Sequence, residues 1–387
     1  MVMDFLPSEE QTLIQDVARR YATDVLAPVA ASHDETPQRD LFLSNLKGLA
    51  ELGFMGLNIP TEHGGSDAGC VGFSLAVTEI GRACASTAVT MSVTNMVAEV
   101  ILSIASEDQK RTYLPRLCSG TYPAGSFCLS EAGAGSDPGA MSTRAFRDGG
   151  DWIINGSKMW ITSAEYAGLF VVWAVTDPEA PRGKGISCFL VEAGTPGIRI
   201  APPERKMGQT ASATNAVFFE NCRVPGSAIM GGLNDGFRIA VTELAGGRIG
   251  IASLALGIGL AAMDYARDFS LQRIQFGQPI ASFQGLQWMM ADAYTELEAA
   301  RLLTLQAAGL KERGLPFAAK ASMAKLYASE KANAACYTAL QLAGGIGYTR
   351  DAPLERFARD VRVTSIYEGT SEIQRLIIAR DLLRALV

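Results

Sequence analysis

Hydrophobic and polar positions follow three successive regimes along this chain. Near the start, Leu13, Ile14, Val17, Ala18, Tyr21 and Val25 share one face of a helix, and Ser8 with Gln11 stands in capping-box register ahead of them. Ser106 and Gln109 repeat that register and open another short helix before Pro115, so the stretch to about residue 118 reads as mainly helical. From about 120 to 235 the pattern changes to short apolar runs rich in β-branched and aromatic residues, separated by Gly, Pro, Asn and Asp. Strands are expected at Leu169–Val175, Ile186–Glu192 and Ala216–Phe219, and Asn155–Gly156 is expected to turn a type I′ hairpin between Trp152–Ile154 and Lys158–Ile161. After Gly236 the helical period returns. Leu286, Met290, Ala293, Leu297 and Ala300 alternate steps of four and three, Leu303 continues the stripe less cleanly, and further helices are expected over 317–343 and 371–385, the latter opened by Ser371 with Gln374. The order is α, then β, then a four-helix bundle, an α+β chain divided at 1–118, 119–235 and 236–387, with no internal repeat and no low-complexity segment.

A chain of 387 residues exceeds the roughly 250–300 at which one core stops growing, in keeping with two or three packed units. The net charge of −6 argues against broad binding to nucleic acid, since a phosphate-binding surface needs an excess of Lys and Arg. Seven scattered cysteines lack the spacing of a zinc site or a disulfide framework and fit a reducing compartment. With His33 and His63 as the two histidines, a metal centre or a His-based triad has little to work with, so acid–base work falls to a carboxylate and no metal is expected. Met1 to Gln11 lacks the basic and apolar segments of an export signal, and the apolar run Ile249–Met263 falls short of the roughly 20 residues that span a bilayer, which makes it a buried helix.

The segment from Cys128 through Leu129, Ser130, Glu131, Gly133 and Gly135 to Ser136 and Asp137 is glycine-rich but is not a Rossmann turn, because Pro138 stands where the third glycine belongs. Read from its residues, it is a loop whose amides and hydroxyls could hold a dinucleotide. A second glycine-rich run, Gln341 to Tyr348 with Gly344, Gly345 and Gly347, continues to Asp351, Arg356 and Asp360. These two long motifs, in this order, resemble the two signatures of the acyl-CoA dehydrogenase family, and the α–β–α order resembles that family from end to end. The resemblance implies an N-terminal helical domain, a β-barrel-like middle domain and a C-terminal four-helix bundle. It also implies bound FAD, with contacts at Phe127, Cys128, Leu129, Ser130, Gly135, Ser136, Trp160, Ile161 and Thr162. Further contacts fall at Arg273, Gln275, Phe276, Phe283, Gln284, Gln341, Gly344, Gly345, Thr370 and Glu372, several of them supplied by a neighbouring subunit of a homotetramer, a dimer of dimers. Without the resemblance Trp160 reads as a half-buried strand aromatic and the stretch around Gly277 and Pro279 as an inter-helix loop.

Glu368, in Ile366-Tyr367-Glu368-Gly369-Thr370, precedes the last helix, where most carboxylates merely complement the helix dipole. By resemblance it is instead the base that takes the α-proton of an acyl-CoA thioester while the β-hydrogen leaves as hydride. A solvated carboxylate is too weak for that proton, so desolvation must raise its pKa and donors must stabilise the developing enolate. The resemblance supplies those donors as the Glu368 backbone amide and a ribityl hydroxyl of FAD. Substrate contacts are implied at Ser136, Leu244, Arg248, Tyr367 and Gly369. Some branched-chain relatives carry the base immediately before the arginine matching Arg248, but Gly247 stands there, leaving Glu368 without a rival. Gly246-Gly247-Arg248-Ile249 resembles the short-chain and isobutyryl-type members. The expected reaction is dehydrogenation of a short, optionally 2-methyl-branched, acyl-CoA to the 2-enoyl-CoA, with electrons passed to an electron-transferring flavoprotein, in fatty acid or branched-chain amino acid catabolism. Motifs do not separate this from an acyl-CoA oxidase using oxygen, while the acidic balance and Glu368 speak against a nucleic-acid-associated flavoprotein of the same fold. No membrane association is expected, and the expected location is cytoplasmic, or the mitochondrial matrix for a processed eukaryotic form.

Overall fold

The computed structural model describes residues 6–383. The first helix, α1 (Glu9–Tyr21), starts at the expected capping box, with the Gln11 amide donating to Ser8 Oγ at 3.2 Å and the Ser8 amide to Gln11 Oε1 at 3.0 Å. It continues through a π-helical turn into α2 (Ala27–Glu35), followed by α3 (Arg39–Glu51), α4 (Gly69–Ala83), α5 (Ala85–Ile104) and α6 (Glu107–Cys118). The second capping box also forms, but α6 runs through Pro115 rather than ending before it. Pro115 and Arg111 lie on the exposed face, where water can satisfy the carbonyl that the proline leaves without its helical donor.

The middle strands are β1 (Ala124–Cys128), β2 (Arg144–Asp148), β3 (Asp151–Thr162), β4 (Ala167–Val175), β5 (Ile186–Glu192), β6 (Ile198–Ile200), β7 (Thr214–Val224) and β8 (Ile229–Met230). They pair in the order β6-β7-β3-β2-β4-β5-β8, with β1 parallel to β4. Along β4, Leu169, Val171 and Trp173 pack with Val97, Ile101, Leu117 and Ile239 of the helices, whereas Phe170, Val172 and Ala174 pack with Trp152, Phe189 and Val217 of other strands. Period-two alternation thus gives β4 two buried faces, and the second core, built almost wholly of strand residues, requires the sheet to wrap over itself as a barrel-like unit.

The hairpin expected at Asn155–Gly156 does not form, because β3 runs straight through it. Asn155 is used across the sheet, accepting from the Asn221 amide at 2.7 Å, and the register against β7 shifts at Gly156. A Cβ on Gly156, at φ 146°, would lie 2.6 Å from Thr143 Cα, so this glycine serves a bulge and a close approach of backbone rather than a turn. The hairpin lies earlier, at Gly149–Gly150 between β2 and β3.

The last part consists of α7 (Gly236–Gln272), the two short strands β9 (Ile274–Gln275) and β10 (Gln278–Pro279), α8 (Gln284–Glu312), α9 (Ala318–Ala343), α10 (Leu354–Arg362) and α11 (Ser371–Leu382). Residues 384 and 385 of the expected last helix lie outside the described residues. Ile249–Met263 is buried within α7 as expected. Ala321, Ala324, Ala328, Ala332, Ala335 and Ala339 line the buried face of α9, small enough for a Cβ at Gly259 of α7 to stand 3.1 Å from that of Ala332. Helices α5 and α7 are long and apolar enough to cross a bilayer, yet 78% of each apolar window is buried inside the protein. The cap of α11 is Thr370, one residue earlier than expected: its Oγ1 accepts from the Ile373 amide at 3.4 Å, and Gln374 turns elsewhere.

Candidate functional site

Glu368 and Gly369 are consecutive residues with left-handed backbones, at φ 55° and 88°. The turn is held from two directions. Gln374 Nε2 donates to the carbonyl oxygens of Glu368 at 3.1 Å and Gly369 at 2.9 Å, and Lys325 Nζ donates to Gly369 O at 2.8 Å. Among the described residues, no hydrogen bond uses the Glu368 N–H, which leaves a free amide donor beside the carboxylate.

The carboxylate lies over α7 and against α5. A Cβ on Gly247 would stand 2.2 Å from Glu368 Oε2 and 2.6 Å from Met96 Sδ. Oε2 is itself buried and makes no hydrogen bond. Burial pushes the Glu368 carboxyl up to about 7, with Arg248 and Lys325 opposing the rise. Arg248 is 5% exposed, donates to Ser322 Oγ at 3.3 Å and leaves its Nε unpaired. Burial brings Lys325 down to about 8, against the pull of Glu368. A desolvated carboxylate between two buried cations, near neutrality in pKa and with an unpaired oxygen, is equipped to take a proton from a weak carbon acid.

The neighbouring residues follow from the same turn. Tyr367 is half-buried, its hydroxyl accepting from Gln209 Nε2 at 3.2 Å, and Gln209 also donates to Asp360 O at 3.0 Å, so motif residue Asp360 ties the 206–213 loop to the helical part. Thr370 is occupied as the helix cap, and Glu372 is exposed in the first turn of α11. Leu244 is half-buried on α7 and shares a cluster with Leu129 and Phe127, while Phe127 also packs on the helical core that Tyr367 joins. Phe127 therefore connects the sheet face to the Glu368 region.

The first glycine-rich motif runs from the end of β1 beside β3. The Met159 amide donates to Ser130 O at 2.9 Å and Ser126 Oγ to Thr162 O at 2.7 Å, setting Phe127 to Ser130 next to Trp160, Ile161 and Thr162. A buried ion pair fixes the loop: Lys158 Nζ lies 2.8 Å from Glu131 Oε1, and the Ser142 and Thr143 amides also bind that carboxylate. Burial works against ionisation of Glu131, but these partners outweigh it and hold its pKa down to about 2. Cys128, Leu129 and Ile161 are buried, Ser130 and Thr162 half-buried, Gly135 and Ser136 exposed. Trp160 is not the half-buried strand aromatic of the bare sequence reading. A register shift between Lys158 and Ile161 puts it at φ 63°, and it is 58% exposed.

The remaining expected cofactor residues lie elsewhere. Arg273, Gln275 and Phe276 project on the β9–β10 arm, with Phe276 93% exposed and its ring 5.9 Å from that of half-buried Phe283; Gln284 follows, exposed, at the start of α8. Gln341, Gly344 and Gly345 are exposed at the end of α9. Among the described residues, no hydrogen bond, ion pair or ring contact joins this group to the Cys128–Ser136 and Trp160–Thr162 face. One chain therefore carries two separate partial surfaces.

The residues fit a flat dinucleotide cofactor. Gly133, Gly135 and Gly345 have nothing within 4 Å of a Cβ built on them, so packing within the chain does not demand glycine there, while a ligand lying against their backbone would. Gln374 and Lys325 were not anticipated. The available signal was a lysine at 325 within the buried alanine stripe of α9.

The chain matches family models for the acyl-CoA dehydrogenase N-terminal domain over residues 8–121, middle domain over 126–222 and C-terminal domain over 234–383. It is 45% identical to the human mitochondrial short-chain specific acyl-CoA dehydrogenase, over 98% of this chain and 91% of that protein. It is 42% identical to the acryloyl-CoA reductase (NADH) of Anaerotignum propionicum, over 99% of this chain and 96% of that protein. A solved chain reported with the electron transferring flavoprotein of Acidaminococcus fermentans and flavin-based electron bifurcation superposes with a TM-score of 0.96 at 41% identity, covering 99% of this chain and 100% of that one. The chain belongs to the acyl-CoA dehydrogenase family and is an FAD-dependent oxidoreductase.

Proposed function

We propose that the protein dehydrogenates a short acyl-CoA between its α and β carbons, with Glu368 as the base and an electron-transferring flavoprotein as electron acceptor. The observation that carries this reading is the unpaired, buried Oε2 of Glu368, with its pKa pushed up to about 7. Glu368 takes the α-proton, and its own free N–H donates to the thioester oxygen as negative charge develops there. FAD, when bound, supplies the acceptor for the β-hydrogen and its electron pair, completing the carbon–carbon double bond. Arg248 and Lys325 keep enough of the carboxylate ionised at neutral pH to act. The rate of flavin bleaching by substrate should therefore rise with pH through about 7 and level off above it.

Short chains are favoured by what stands beside the base. A Cβ on Gly246 would lie 2.8 Å from Lys311 Nζ and 3.3 Å from Glu99 Oε2, and those two form an ion pair of 2.6 Å. A long alkyl chain extended that way would be buried against charges, which is unfavourable. The human relative's short-chain name points the same way. Straight and 2-methyl-branched substrates of about four to five carbons should have the highest kcat/KM. A twelve-carbon chain turning over better than butyryl- or isobutyryl-CoA would sink the assignment.

The two partial cofactor surfaces, and the exposed Ile274 and Phe276 on the arm, support a homotetramer built as a dimer of dimers in which one subunit's arm completes its neighbour's site. Light scattering should give an assembly of at least two chains. A monomer retaining FAD and full activity would contradict the shared site.

A further inference from the structure

We propose that Lys325 and Gln374 are positioning residues for Glu368, anchoring the two successive carbonyls of its left-handed turn and so fixing where its carboxylate and free N–H stand. This rests on the reading of Glu368 as the base.

Neither side chain is explained by packing. Lys325 is 0% exposed in the buried alanine stripe of α9, where an apolar residue would carry no desolvation cost. An ammonium has three protons to donate, yet the hydrogen bond Lys325 makes is to Gly369 O, and it forms no ion pair among the described residues. Gln374 is likewise 0% exposed, and its Oε1 has no partner while its Nε2 serves Glu368 O and Gly369 O. Two incompletely satisfied polar groups, from different helices, meet at Gly369 O, and Gln374 also holds Glu368 O. Those carbonyls belong to a turn in which a non-glycine residue with φ 55° precedes a glycine with φ 88°. Glu368 leaves the left-handed region readily unless the turn is held, and with a changed φ its carboxylate and N–H no longer address the same substrate atoms.

Lys325 has a second effect that Gln374 lacks, because it is a cation. The charged or titratable groups that face Glu368 are Arg248 on α7, Lys325 on α9 and the adjoining Tyr367; α5 offers the uncharged Met96. Lys325 in turn senses Glu372 and Glu330. Removing it leaves Arg248 alone to favour the carboxylate.

The test uses FAD-loaded Lys325→Met and Gln374→Met, with anaerobic flavin bleaching by butyryl-CoA followed from pH 6 to 9. Both variants should keep FAD and a wild-type or higher melting temperature, lose about 10- to 100-fold in limiting bleaching rate, and change the half-saturating substrate concentration by less than about threefold. In Lys325→Met the pH midpoint of the rate should also move upward, while in Gln374→Met it should stay. Folded variants with wild-type rates and an unmoved midpoint overturn the proposal. If Lys325→Met does not fold, Lys325→Gln, which keeps a donor without the charge, should lose less rate than Gln374→Met while its pH midpoint still moves upward, and an unmoved midpoint overturns the proposal for Lys325. The underlying base assignment is tested separately by Glu368→Gln: an active Glu368→Gln refutes the base, whereas an inactive Glu368→Gln beside a wild-type Lys325→Met and Gln374→Met refutes the positioning alone.

Discussion

Glu368→Gln will fold, bind FAD and bind acyl-CoA, and will fail to bleach its flavin when substrate is added. Oε2 makes no hydrogen bond, so an amide nitrogen in its place breaks none, and the contacts that hold the turn run to backbone oxygens that the substitution leaves alone. What disappears is the acceptor for a carbon-bound proton. Loss of a general base alone costs about 10²- to 10⁴-fold, and more is expected where no other group can take the proton; Gly247 offers none. Anaerobic mixing with butyryl-CoA reads this directly, and bleaching at near the wild-type rate would place the base elsewhere. The same substitution has a stability signature. The folded Glu368 titrates near 7 against an ordinary 4.5, so the folded state binds the proton more tightly, and wild-type stability falls as pH rises across that interval. Glutamine removes the penalty. The variant should melt higher than wild type at pH 8, with the difference shrinking toward pH 4.

How far the sequence carried depended on how local each interaction is. The capping boxes at Ser8–Gln11 and Ser106–Gln109 form as read, because their partners lie three residues apart and little else competes for them. At Asn155–Gly156 the local rule favours a turn, but Asn155 bonds Asn221 and Gly156 is pressed against Thr143, contacts invisible to a two-residue motif. Gln374 is a similar case. Its spacing from Ser371 suits a capping box, yet it is drawn to the carbonyls of the preceding turn, and the cap moves to Thr370. Glu368 was legible as a motif residue and Gly247 through the resemblance, but Met96 and Lys325 were not: they come from two other helices far apart in the chain, and no spacing connects them to Glu368. The buried lysine among alanines was the available hint. Trp160 likewise reads as an ordinary strand residue until the shifted pairing of β3 with β7 turns it outward.

Gly247→Ala should separate folding from catalysis most cleanly. The added methyl would stand 2.2 Å from Glu368 Oε2 and 2.6 Å from Met96 Sδ, far inside contact distance. Both atoms are near the ends of flexible side chains, so they can move while the helices stay in place. Alanine in the interior of α7 also favours the helix over glycine by roughly 0.5–1 kcal/mol, so the melting temperature should change little. The carboxylate has no such latitude. Its displacement is on the order of an ångström, and a shift of that size in a reacting group costs about 10²-fold in rate. The limiting bleaching rate with butyryl-CoA should therefore drop by about that factor while FAD content is kept. The neighbouring Gly246→Ala provides the contrast, since its methyl meets Lys311 Nζ at 2.8 Å and Glu99 Oε2 at 3.3 Å and leaves Glu368 untouched. Its rate with butyryl-CoA should fall far less. Equal rates for Gly247→Ala and wild type would mean that the Glu368 carboxylate works from a position other than the one resting on Gly247.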